Sequence, residues 1–179
     1  TWGVAHCGGD SSAVADRLVA GVISIVGAEW AFAALKQAGE VVTWGEGEVV
    51  TWGQAPLPLP AATQLQLRTA CLLSSVPSLE MALVAGVISI VGAEWAFAAL
   101  KQAGEVVTWG DPRDGGDSSA VTDRLAAGVS TIVADGLAFA ALKEAGKVVT
   151  WGDAGFGGDS SAVADRLAAG VSSIVGNEA

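Results

Sequence analysis

The strongest constraint on this chain is that it repeats itself. Val-Val-Thr-Trp-Gly occupies residues 41–45, 49–53, 106–110 and 148–152, and its tail Thr-Trp-Gly occupies residues 1–3. Trp2 and Trp44 are 42 residues apart, as are Trp109 and Trp151. Gly-Gly-Asp-Ser-Ser begins at Gly8, Gly115 and Gly157, and residues 19–45 and 84–110 are identical over 27 positions. A fixed period of this size marks stacked supersecondary units. Each is too small to bury its own apolar faces and depends on its neighbours for a core.

One unit reads Gly-Gly-Asp-Ser-Ser-Ala-Val-Ala-Asp-Arg-Leu, then an apolar Gly-Val-Ser-Ser-Ile-Val-Gly stretch, then Ala-Phe-Ala-Ala-Leu-Lys, a Gly turn and Val-Val-Thr-Trp-Gly. Asp159 or Ser160 is an expected N-cap, because a side-chain oxygen there accepts from a free N–H of the first turn. Val163 and Leu167 share one face of a short helix, which Gly170 ends. Val171–Val175 has the β-branched character of a strand. Ala138–Leu142 and Lys147–Trp151 are two further strands, joined by the hairpin loop Lys143-Glu144-Ala145-Gly146 with Gly146 at positive φ. The expected fold is mainly β with short helices: a partial β-propeller-like array of about three to four 42-residue units.

The period breaks once, which divides the chain into repeat units at 1–53, a Pro- and Leu-rich insertion at 54–83, and repeat units at 84–179. Codons for Pro60 to Cys71, read one base out of frame, can spell the Gly-Gly-Asp-Ser repeat helix at ten of eleven positions. The insertion therefore reads as a frame-shifted repeat. Sequencing the coding DNA for those alternative-frame codons checks this reading. The chain is expected to be part of a longer array, or an open arc that associates with another copy through an exposed edge strand.

Composition narrows the function classes. Nine basic against nineteen acidic residues give a formal charge of −10, which repels phosphate backbones and argues against nucleic acid as a partner. Cys7 and Cys71 form no pairing or ligand pattern, which favours an intracellular setting. The run Met81–Ala93 is shorter than the roughly 20 apolar residues that span a bilayer, so no membrane role is expected.

Catalysis needs a unique constellation, and this sequence offers none. His6, the single His, sits beside Cys7, where extended backbone points the two side chains apart. The Asp of Gly-Gly-Asp-Ser-Ser recurs in each intact unit, as a structural residue does, and supplies too few ligands for calcium. No cofactor or metal is expected, and the chain is not read as an enzyme. Trp44, Trp109 and Trp151 end strands and are expected in the core between units. Trp30 and Trp95 precede the Ala-Phe-Ala-Ala-Leu strand in two units, with Leu137 in the third, and are the candidate interaction surface.

The string Gly128-Val129 … Ile132 … Ala138-Phe139-Ala140-Ala141-Leu142 … Gly146-Lys147-Val148 … Trp151-Gly152 resembles the regulator of chromosome condensation repeat family. The resemblance recurs at 19–45, 84–110 and 126–152 and covers most of the chain outside 54–83. It implies a β-propeller whose blades are consecutive repeats and which serves as a protein-interaction platform. The chain departs from the family in having Gly-Gly-Asp-Ser-Ser where Gly-Gln-Leu-Gly is usual, and in lacking a His before the apolar strand. No functional residue is carried over. The expected function is a non-catalytic scaffold that binds a protein partner. The alternatives are a lectin that stacks sugars on Trp platforms, or the recognition segment of a larger enzyme such as a ubiquitin ligase.

Overall fold

The computed structural model describes residues 9–45 and 86–176. The insertion at 54–83, His6 and both cysteines lie outside these residues. Among the described residues, nine strands form three separate antiparallel sheets of three: β1 (Val22–Gly27), β2 (Ala31–Lys36) and β3 (Val41–Gly45); β4 (Val87–Gly92), β5 (Ala96–Lys101) and β6 (Val106–Gly110); β7 (Val129–Asp135), β8 (Ala138–Lys143) and β9 (Val148–Gly152). Within each sheet the strands pair in sequence order. Each sheet is one repeat, and consecutive sheets stack face to face as the blades of a partial β-propeller.

The pleat of Ala-Phe-Ala-Ala-Leu-Lys explains this stacking. Alternate residues point to opposite faces of a strand, and this middle strand is covered on both, so it is apolar up to its final lysine. Ala31, Ala33 and Leu35 of blade one pack against Val87, Ile90, Phe97, Ala99 and Trp109 of blade two. One step on, Ala96, Ala98 and Leu100 of blade two pack against Val129, Ile132, Phe139, Ala141, Val149 and Trp151 of blade three. The forward face of a blade is thus small, and the rear face carries the aromatic bulk. Two forward faces would leave a void and two rear faces would clash, so the blades stack in one direction.

Within each blade, Phe and Trp are direct cross-strand partners: Phe32 with Trp44, Phe97 with Trp109, and Phe139 with Trp151. Their rings stack with centroids 5.4, 5.4 and 5.3 Å apart. Such pairs contribute about 0.5–1.5 kcal/mol beyond the area they bury. Trp109 and Trp151 lie in the core between blades, as expected, while Trp44 is buried against its own sheet and the short helix before it.

Backbone hydrogen bonds cross between blades at both ends of the sheets. At one end Glu29 N–H donates to Glu94 O (2.9 Å), and Glu94 N–H donates to Gly136 O (2.8 Å). At the other, the hairpin glycine of a blade accepts from the segment that follows: Val129 N–H of β7 to Gly104 O, and Val171 N–H, outside any strand, to Gly146 O, both 3.0 Å. These hairpin glycines have no room for a side chain. A Cβ on Gly104, at φ 75°, would lie 2.6 Å from Gly128 N. Gly146 has φ 73°, as the hairpin reading required.

The Gly-Gly-Asp-Ser-Ser segment links one blade to the next. Asp10, Asp117 and Asp159 each accept, through Oδ1, the N–H of the second serine, at 2.8–2.9 Å. Asp159 is therefore the capping side chain, whereas Ser160 makes no side-chain cap bond. The following helix is a 3-10 turn, Ser119–Val121, that runs into the single α-turn α2, Thr122–Leu125; blade one is preceded by the same pair, Ser12–Val14 and α1, Ala15–Leu18. Val121 and Leu125 share the buried face, whereas the helix expected over Val163 and Leu167 is only the 3-10 turn Ser161–Val163, with Val163 41% exposed.

Two findings go beyond, or against, the sequence reading. Val171–Val175 is not a strand in the structure, against its β-branched pattern. Each first strand also carries a β-bulge near its start, between Val22 and Ser24, Val87 and Ser89, and Val129 and Thr131. The bulge throws Ile23 and Ile88 outward to more than half exposure.

Candidate functional site

The strand directions gather one set of loops at one end of the array. The turns β1–β2, β4–β5 and β7–β8 lie there, together with the loop that leaves each blade's last strand; the hairpins lie at the opposite end. The inter-blade bonds from Glu29 to Glu94 and from Glu94 to Gly136 stitch the three turns side by side. Trp30 and Trp95 follow the first two of these positions, and their rings stack with centroids 5.5 Å apart and an interplanar angle of 25°. Trp95 is 41% exposed and Trp30 is half-buried. The structure thus brings the two candidate residues together as one aromatic stack that bridges adjacent blades.

The departing loops pin to these turns by their backbones. Asp111 N–H donates to Trp95 O, and Asp153 N–H donates to Leu137 O, both at 2.9 Å. Each Asp then folds its own loop: Asp111 Oδ1 accepts Arg113 N–H at 2.8 Å, and Asp153 Oδ1 accepts Gly155 N–H at 2.7 Å. The two loops otherwise differ, as Pro112-Arg113-Asp114 in one corresponds to Ala154-Gly155-Phe156 in the other. Phe156 is half exposed and lies beside Gly136.

Asp114 has no equivalent in the next unit. It is 9% exposed, and its carboxylate takes part in no hydrogen bond or ion pair among the described residues. Burial holds its pKa above the usual carboxylate value, reinforced by the negative charges of Asp111, Asp153 and Glu94 and opposed by Arg113. A carboxyl whose pKa is raised on folding favours the fold while it is protonated. That contribution is present at low pH and is lost as pH rises through the raised value, so ionised Asp114 weakens the fold at neutral pH. Among the described residues, no three His, Cys, Asp or Glu side chains converge closely enough to ligate a metal ion.

The repeated aspartates behave differently. Asp10 and Asp159 have lowered pKa values, chiefly because a serine N–H donates to each. Beside them, Thr108 Oγ1 lies 3.0 Å from Gly116 O and 3.0 Å from Ser118 Oγ. A hydroxyl has one proton, so Thr108 donates to the carbonyl and accepts from Ser118. Thr150 repeats this with Gly158 and Ser160. These residues hold the link between blades.

The first glycine of the motif has a further part that the sequence reading missed. Gly115 O accepts the buried Trp151 Nε1–H at 3.1 Å, and a Cβ on Gly115 would lie 2.6 Å from the Phe139 ring. The position corresponding to Gly115 ahead of Trp109 falls within residues 46–85, and Trp109 Nε1–H finds no acceptor among the described residues. Asp114 was missed too. The available signal was its departure from the repeat, as an acidic residue in a loop that differs from unit to unit.

No protein-family model matches the sequence, and no curated protein matches it. Similar solved structures include human WBSCR16, at 18% identity over 73% of this chain with a TM-score of 0.47. The ectodomain of the Physcomitrella patens receptor kinase CR4 matches at 18% identity over 88% of this chain, with a TM-score of 0.38. Yeast RCC1 (Prp20), solved with Kap60, matches at 13% identity over 76% of this chain, with a TM-score of 0.33. The chain spans 33%, 47% and 44% of the lengths of these three structures, respectively.

Proposed function

We propose that the array is a non-catalytic scaffold that binds a protein partner through the loop end carrying Trp30 and Trp95. The observation that carries this reading is the aromatic stack itself. It joins adjacent blades at a position where the repeat does not need Trp for its core, since Leu137 serves in the third blade, and it leaves Trp95 41% exposed. Large, rigid, partly exposed aromatics are the commonest anchors of protein interfaces. Stacking occupies one face of each ring, which leaves less open platform than a sugar-binding site presents.

A random peptide library displayed on phage and panned against the chain tests the proposal, with the Trp95→Ala variant as counter-selection. Selected peptides should bind the variant at least about tenfold more weakly, a loss of about 1.4 kcal/mol, while its circular dichroism is unchanged. Peptide binding indifferent to Trp95, or glycan binding that depends on it, would overturn the assignment.

A further inference from the structure

We propose that the partner segment held at this loop end is cationic, with an arginine or lysine that lies beside the Trp30–Trp95 stack and pairs with Asp114. This rests on the scaffold reading above and names the chemistry of its partner. Three features of the loop end point to it.

The first is the unpaired carboxylate. Asp114 as a residue is 9% exposed, with no counter-ion among the described residues, and its carboxylate oxygens are not among the fully enclosed polar atoms, so an incoming group can reach them. Buried charges are ordinarily paired, because desolvation is costly and a neighbouring opposite charge offsets it. The nearby Arg113 is exposed and forms no ion pair with it among the described residues. After burial, Asp111 of its own loop, Asp153 and Glu94 act on Asp114 with the same sign, and Arg113 opposes them. Such a cluster stores repulsion that an incoming cation relieves.

The second is the exposed indole. Trp95 lies between Glu94 in sequence and Asp111, whose N–H is bonded to the Trp95 carbonyl. Guanidinium and ammonium groups are attracted to the face of an indole, with Trp the best of the aromatic residues for this contact. Aromatic surface bordered by carboxylates is complementary to an arginine side chain, whose apolar stem and charged head match the two in turn.

The third is the spacing of the acidic groups. Asp111, Asp153 and Glu94 are close enough to raise the pKa of Asp114, yet among the described residues no three His, Cys, Asp or Glu side chains converge as metal ligands. That arrangement suits an extended polyatomic cation better than a metal ion. The formal charge of −10 adds long-range attraction for the same class of partner.

A short peptide alternating arginine and glycine, titrated into the full chain and followed by tryptophan fluorescence and calorimetry, tests the proposal. Its glutamine counterpart serves as the neutral control. The arginine peptide should bind with an affinity that falls as salt is raised, and the glutamine peptide should not bind. Asp114→Asn and Trp95→Ala should each weaken binding at least about tenfold. Glu144→Gln, at the hairpin end of blade three, should change it by less than about twofold. Because ionised Asp114 weakens the fold, Asp114→Asn should also raise the melting temperature at neutral pH, so its loss of binding is not loss of structure. Equal loss with Glu144→Gln would mean that only net charge is sensed, and would overturn the proposal. Should library peptides depend on Trp95 but carry no basic residue, the cationic partner falls while the scaffold reading stands. If no peptide of either kind depends on Trp95, both fall.

Discussion

Glycine carries more of the geometry here than any other residue. Gly104 and Gly86 have nearly the same left-handed backbone, with φ of 75° and 82°. Their surroundings are opposite: a Cβ on Gly104 would press on the backbone of Gly128 in the next blade, whereas a Cβ on Gly86 meets nothing within 4 Å. Gly86→Ala should therefore cost only the left-handed conformation, about 1–2 kcal/mol. Gly104→Ala should cost clearly more, because the blades must separate to admit the methyl group. Urea denaturation of the two variants measures the difference, and equal losses would show that no close approach exists at Gly104. The turn at Gly146 was legible in the sequence, since a hairpin loop ending in Gly calls for positive φ. The role of Gly115 was not, because the ring that excludes its side chain, Phe139, belongs to the next repeat.

The elements follow from local pattern where partners are local, and depart from it where they are not. Ala138–Lys143 is a strand because apolar residues on both of its faces find neighbouring sheets, and its hairpin with Val148–Gly152 closes within a few residues. Val171–Val175 has an equally good strand pattern and is not a strand, so pattern alone does not make one. The threonine of Val-Val-Thr-Trp-Gly is a quieter case. Its β-branched form suits a strand, yet its hydroxyl fastens the strand to the loop that leads to the next blade. Thr108→Val keeps the shape and removes the hydroxyl, leaving the buried Gly116 carbonyl without its donor. Stability should fall by about 1–3 kcal/mol in chemical denaturation, and an unchanged midpoint would show that the lock contributes nothing. Of the candidate site, Trp30 and Trp95 were visible from the sequence as bulky aromatics at a position that tolerates leucine. Asp114 was not, since its proximity to Glu94, in an earlier turn of the same blade, arises only from folding.

At the scale of the whole molecule, the account rests on blades that stack in one direction, small forward face against aromatic rear face. Fold and surface both follow from that order, since the same stacking lines up the β1–β2 and β4–β5 turns and so brings Trp30 against Trp95. The amides that cross between blades report on it most directly. Hydrogen exchange followed by NMR at Glu94 and Val129, whose N–H groups donate to Gly136 of the next blade and Gly104 of the preceding one, is the decisive measurement. Stacked blades predict that both amides exchange as slowly as those within the β4–β5 and β7–β8 ladders, and that Val129 loses its protection in Gly104→Ala. Exchange at the rate of an open loop at both positions, with the ladders still protected, would mean that the sheets form but do not stack.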